Sequence, residues 1–198
     1  MHSFYFIIFA AIASGIHGST LKDLQEALDT KERIYLYINS NRPMYSGPFC
    51  VNLKQYQDPV NNIYFLEEEY TKGEKIMHTR YTGTLGNGKG EDGNATMTLN
   101  SLYDPKKERT YTLRYWNSTE KCFVLSIPIS TGRVSCELYQ WDEMIDERCE
   151  PAYNRNPDKR RCDYRGCELE FRQFCNDPKY NIIYDVTKCK KKNPTLAQ

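Results

Sequence analysis

The stretch KCFVLSIPISTGRVSCELYQW, Lys121 to Trp141, reads as two strands joined at Ser130-Thr131-Gly132. β-Branched and aromatic residues flanking a glycine-containing connection are the chemistry of a β-hairpin. Side chains alternate between the two faces of a strand. Phe123, Leu125, Ile127 and Ile129 therefore share one side of the first strand, opposite Cys122, Val124, Ser126 and Pro128. The second strand sets Arg133, Ser135, Glu137, Tyr139 and Trp141 against Val134, Cys136, Leu138 and Gln140. One face of the hairpin is thus two cysteines among apolar residues, suited to being covered and stapled. The other mixes greasy side chains with Glu137, Tyr139, Arg133 and Trp141, a lining for a cavity.

Upstream, RIYLYINS, FCVNLKQY, Asn62 to Thr71, Lys75 to Leu85, Asn94 to Tyr103 and Glu108 to Asn117 are further β-rich runs. With the hairpin they make eight strands separated by turn signals and no intervening helices. That spacing predicts an antiparallel sandwich or barrel. Ahead of them, TLKDLQEALDTK, Thr20 to Lys31, places Leu21, Leu24 and Leu28 at helical spacing, with Ser19 or Thr20 available as N-cap. GNGKGEDGN lacks the Lys-Ser/Thr ending of a phosphate-binding loop and reads as a flexible connection. After Trp141 a polar, charged stretch reads as a long loop. CELEFRQFCN, Cys167 to Asn176, is a second helix, with Cys167, Phe171, Phe174 and Cys175 on one face. Tyr180 to Cys189 adds a short last strand.

The 198-residue chain opens with the apolar run FYFIIFAAIA, shorter than the roughly 20 residues a bilayer-spanning helix needs. Small residues follow, so residues 1–18 are expected to be a secretory signal peptide and residues 19–198 one folded domain. Asn94-Ala95-Thr96 and Asn117-Ser118-Thr119 are the sequons expected to carry glycans. A net charge of +1 gives no field for nucleic acid or a membrane surface. The chain is expected to be a monomer.

Eight cysteines in an exported chain favour disulfides. If the second helix packs on the cysteine face of the hairpin, Cys122–Cys167 and Cys136–Cys175 satisfy both geometries together. Cys149–Cys162 then closes the basic loop, and Cys50 remains for Cys189.

A signal peptide, an N-terminal helix, eight strands, a C-terminal helix and a terminal cysteine pinned to an early strand resemble the tick salivary lipocalins of the histamine-binding family. That family carries a Cys-Asp pair on one late strand and a Glu-Leu-Trp-like motif on the next, here Cys122-Phe123 and Glu137-Leu138-Tyr139. The resemblance implies an all-β, eight-stranded antiparallel lipocalin barrel with a helix on its outside. It also implies stoichiometric capture of a small host mediator, either a biogenic amine such as histamine or serotonin, or an eicosanoid. Of the family's interior acids only Glu137 carries over, since Phe123 replaces the aspartate and INSNRPMYSGPF lacks the early ones. An aromatic expected in that early loop persists as Tyr45.

Glu137, Tyr139, Trp141, Phe123 and Tyr111, with Tyr115 beside them, make a wall suited to a cation or a planar ring. The bland account of the aromatics is barrel packing, and that of Glu137 an ion pair with Arg133 or Arg80. His78 and Arg80 share one strand face and could meet a carboxylate ligand. His78 is the sole histidine beyond the signal peptide, and Glu67, Glu68 and Glu69 alternate faces, so neither a catalytic dyad nor opposed carboxylates are expected. No cofactor is implied. The reading from another class is a protein-binding inhibitor of complement or haemostasis, acting through the stapled Cys149–Cys162 loop.

Overall fold

Helix α1, Leu21–Leu28, begins where Thr20 caps the Asp23 amide and Asp23 reaches back to the Thr20 amide. In this computed structural model the described residues are 19–40, 48–88, 93–104, 108–129, 132–145, 166–175 and 180–190. The expected signal peptide, residues 146–165 with the expected Cys149–Cys162 pair, and Tyr45 lie outside them. Leu24, Ala27 and Leu28 of α1 are buried against the inside of the sheet. The helix is therefore a plug.

The strands are β1 (Ile34–Asn39), β2 (Pro48–Val60), β3 (Ile63–Lys72), β4 (Lys75–Asn87), β5 (Ala95–Ser101), β6 (Arg109–Asn117), β7 (Cys122–Pro128) and β8 (Val134–Trp141). Each pairs antiparallel with the next from β2 to β8, and β8 then pairs with β1. Closure comes from β1 pairing with β2 at Ile34↔Leu53 and Tyr35↔Asn52. These short pairings leave a gap where β1 and β2 diverge. The C-terminal segment fills it: β9 (Asn181–Ile182) pairs with β1 at Ile38 and Asn39. Ile183 then donates to Tyr37 O and accepts from the Cys50 amide, joining both sides of the seam.

Two buried clusters follow from strand alternation. Inside lie α1, Leu36, Leu53, Leu66, Met97, Leu99, Tyr111, Leu113, Phe123, Leu125 and Tyr139. Outside, Val124, Leu138 and Cys136 are covered by Phe171 of α3, Gly166–Cys175. Disulfides Cys122–Cys167 and Cys136–Cys175 staple that helix to the hairpin, and Cys50–Cys189 ties down the C-terminus. In the chain-entropy view loops this long contribute about 3–5 kcal/mol each.

The departures from expectation are local. α3 rolls so that Glu168 is buried while Phe174 is largely exposed, because the buried stripe centres on Phe171 and Cys175. A helical turn, α2 (Asp142–Ile145), follows Trp141 directly and buries Ile145 where a loop was expected. Another turn, α4 (Val186–Cys189), ends the described chain with Asp185 as its cap. At Gly132, φ is +71°, a conformation that glycine adopts without steric cost.

Candidate functional site

The site builds from β8. Glu137, Tyr139 and Trp141 project inward from it, as alternation requires. Across the hairpin the register sets Tyr139 beside Phe123 and Glu137 beside Leu125. The rings of Phe123 and Tyr139 stack at 5.2 Å with 13° between their planes. Glu137 is 0% exposed. Its Oε2 accepts a 2.7 Å hydrogen bond from the Tyr139 phenol, and its Oε1 accepts one of 3.2 Å from Asn39 Nδ2. Asn39 stands directly opposite Glu137 because a register shift between Leu36 and Ile38 places it there.

Tyr111 enters from β6 and is also buried. Burial first, and then the charge of Glu137, push its phenol well above the ordinary tyrosine range, with Arg109 opposing. Arg109 lies two residues before Tyr111 on the same face. Its guanidinium sits 5.1 Å from the Tyr81 ring centre and 5.9 Å from that of Tyr111. Glu68 of β3 meets Arg109 Nη2 at 3.5 Å and accepts from the Tyr81 hydroxyl at 3.4 Å. Burial and Glu68 together raise the Tyr81 pKa. Among the described residues, the inner wall toward the end opposite α1 thus carries two carboxylates, a guanidinium and a set of tyrosine faces. Such a wall can hold a cation against π-faces, or receive an acidic group at Arg109.

Residues 17–191 match the family model described as tick histamine binding protein. The chain belongs to that family. No curated protein sequence matches it. Among solved structures it is similar to Japanin from Rhipicephalus appendiculatus bound to cholesterol, at 15% identity and a TM-score of 0.51, covering 80% of this chain and 95% of that one. It is also similar to apocrustacyanin C2, at 8% identity and a TM-score of 0.50, covering 87% of this chain and 92% of that one. At these identities the likeness concerns the fold, a closed lipocalin barrel with a helix packed outside.

Within this histamine-binding-family barrel, Glu137, Tyr139, Phe123 and Tyr111 come together on the inner wall. Trp141 shares their face but stands at the plugged end. There its Nε1 donates to Ala27 O at 2.9 Å and its ring lies 5.9 Å from Trp116. Arg80 does not belong to the lining. Tyr81, Leu85 and Gly83 face inward on β4, so alternation sends Arg80 outward, where its Nε donates to Glu67 at 2.9 Å and its guanidinium covers Tyr56. His78 is on that same outer face, close to Glu67 and Glu69. Arg133 is exposed just before the first residue of β8. Tyr115 also leaves the wall: a register shift between Leu113 and Tyr115 turns it outward and Trp116 inward.

Sequence reasoning missed Asn39, Glu68, Tyr81 and Arg109. The signal for three of them was present. Glu68 continues the inward series Tyr64 and Leu66, Tyr81 opens the series with Gly83 and Leu85, and Arg109 opens the series with Tyr111 and Leu113. Asn39 depends on a bulge that no local pattern announces. Outside the barrel Glu120 lies close to Cys122 and Cys167, but both sulfurs are spent in a disulfide and offer no thiolate to a metal.

Proposed function

We propose that this lipocalin is a secreted scavenger that captures a small amine mediator of the host, of the histamine or serotonin type, by stoichiometric binding without turnover. The observation that carries the reading is Glu137, a fully buried carboxylate on the inner wall, flanked by Tyr111 and Tyr139 with Phe123 stacked on the latter. A carboxylate removed from water costs several kcal/mol unless charge or hydrogen bonds compensate it. A ligand ammonium among aromatic faces supplies such compensation. Glu68 offsets the charge of Arg109, which keeps the lining from being basic.

Arg109 favours a second reading. A guanidinium set over two tyrosine rings is suited to the carboxylate of an acidic lipid such as an eicosanoid. Calorimetric titration of the purified protein with histamine, serotonin and a leukotriene separates the two. Saturable heat with an amine supports the first reading. Heat with the leukotriene alone transfers the site to Arg109.

A further inference from the structure

Where β1 and β2 part, the barrel wall is completed by the far end of the chain. β9 pairs with Ile38 and Asn39 of β1. The Ile183 amide donates to Tyr37 O at 2.9 Å, and the Cys50 amide donates to Ile183 O at 3.3 Å. The side chain of Ile183 joins the inner cluster, while Tyr184 packs edge-on against Tyr35 at 5.0 Å between ring centres. This segment also braces the inner wall. Asn39 is registered with Asn181 on one side and with Glu137 on the other, and its Nδ2 donates to Glu137 Oε1.

β9 has two residues, fewer than an ordinary strand. Its docking therefore leans on the Cys50–Cys189 disulfide that follows it. Cys50 has φ +57°, a conformation that disfavours any residue with a Cβ and persists only where its surroundings impose it. Its amide bond to Ile183 and its sulfur bond to Cys189 both tie it to the segment, so release would also let Cys50 relax. The other two described disulfides lie beneath α3, where Cys122, Cys136 and Cys167 are 0% exposed. Cys50 and Cys189, by contrast, line an outer cleft of about 690 Å³, and Cys189 is only partly buried.

Thiol–disulfide exchange requires a path for the attacking thiolate to a sulfur, and that cleft supplies one. We propose that Cys50–Cys189 is a thiol-exchange site, and that its reduction by a dithiol opens the seam between β1 and β2. One thiolate of the dithiol attacks Cys189 Sγ and expels Cys50 as a thiolate, which takes up a proton. The second thiol of the reagent then attacks the mixed disulfide and frees Cys189. Two electrons and two protons pass to the protein, and the dithiol leaves as a disulfide. Burial of Ile183 and Tyr184 still favours docking, so the reduced protein exchanges between open and closed seams while the rest of the barrel stays folded. The opening is independent of which ligand the wall holds, and the unliganded protein suffices to test it.

The folded protein is treated briefly with dithiothreitol or with reduced thioredoxin, trapped with iodoacetamide and peptide-mapped. Cys50 and Cys189 are expected to carry the label before Cys122, Cys136, Cys167 and Cys175. Amide hydrogen exchange, read by NMR on the trapped protein, should be roughly tenfold or more faster at Cys50 and Ile183. Val124 and Leu138, in the stapled hairpin, should keep their protection. A Cys50→Ser, Cys189→Ser double variant should show the same pattern with no reductant. Where that variant fails to fold, the order of labelling in the wild type still decides. Labelling of the four α3 and hairpin cysteines first, or together with Cys50 and Cys189, overturns the proposal. So does a protein labelled at Cys50 and Cys189 whose Cys50 and Ile183 amides exchange as slowly as before.

Discussion

Tyr139 donates its phenolic proton to Glu137 from two residues further along the same strand, at 2.7 Å and on the same interior face. Both residues are in the family-like Glu-Leu-Tyr run, so a tripeptide of sequence carries both the buried charge and one of its donors. Asn39 supplies another from the neighbouring strand. The pair links packing to chemistry: the ring of Tyr139 stacks on Phe123 while its hydroxyl serves the carboxylate.

Removing that hydroxyl separates the two roles. Tyr139→Phe keeps the stack but deprives the fully buried Glu137 of a donor. The expected cost is about 1–3 kcal/mol of unfolding free energy. Urea denaturation should show a lower midpoint at an unchanged m-value, because the fold buries the same surface.

The plug offers an independent test. Leu24 is completely buried between α1 and the barrel interior. Leu24→Ala should destabilise the protein by about 2–5 kcal/mol, the range for a buried leucine that leaves a cavity. Trp141, whose indole bonds to Ala27 O, should report the loosening as a change in fluorescence in the native state.

Alkaline titration addresses the buried tyrosines. Burial is the leading cause that raises the pKa of Tyr35, Tyr64, Tyr81 and Tyr111 above 10.0. A group whose folded pKa exceeds its unfolded value contributes stability that is complete below the unfolded pKa and lost as pH rises through the folded one. The unfolded chain ionises these phenols first, so stability should fall once pH passes about 10. Absorbance of tyrosinate is expected to show a late fraction that appears together with the loss of near-ultraviolet circular dichroism. Replacing Tyr111 by Phe should reduce that fraction.

Strand alternation made most of the fold legible. The two faces of the Lys121–Trp141 hairpin lie where their pattern places them, one inside and one under α3. The same rule, applied with the phase of the neighbouring strands, puts Arg80 outside and Glu68 and Arg109 inside. The error at Arg80 was one of phase, since Tyr81, Gly83 and Leu85 already claim the interior. Tyr115 and Asn39 are different. Each lies next to a bulge, and one extra residue reverses every later side chain. Bulge positions depend on how strands twist against their partners, which no single strand's sequence encodes.

The two sequons occupy unlike settings. Asn94 Oδ1 accepts from the Ser19 amide at 2.7 Å, an arrangement that leaves its Nδ2 for a sugar. Asn117 uses Oδ1 to bind the Thr119 and Glu120 amides, while its Nδ2 is 3.5 Å from the Tyr115 hydroxyl. A methyl group added at Gly166 would lie 3.1 Å from that Nδ2, so α3 crowds it. Glycopeptide mass spectrometry of the secreted protein should find Asn94 more fully occupied than Asn117. Equal occupancy would mean that the sugar is attached before α3 docks and that Asn117 then turns outward.

The charges of the inner wall separate the two proposed ligand classes. Glu137→Gln removes the negative charge while preserving size and the ability to bond Asn39. If an ammonium is held there, amine affinity should fall by about 1.5–3 kcal/mol, roughly tenfold or more, as expected for loss of a charge-assisted contact in a poorly solvated site. Arg109→Gln acts in the opposite sense. It leaves Glu68 without its guanidinium partner, adds net negative charge to the inner wall, and should strengthen amine binding while weakening any acidic lipid. The two variants therefore form a crossed pair: an amine site responds down to the first and up to the second, and a carboxylate site responds with both signs reversed. Calorimetry with histamine, serotonin and a leukotriene on the three proteins reads the signs directly. If wild type binds none of the three, neither charge selects a ligand and Glu137 is a structural element of the wall, its hydrogen bonds to Tyr139 and Asn39 serving the fold alone.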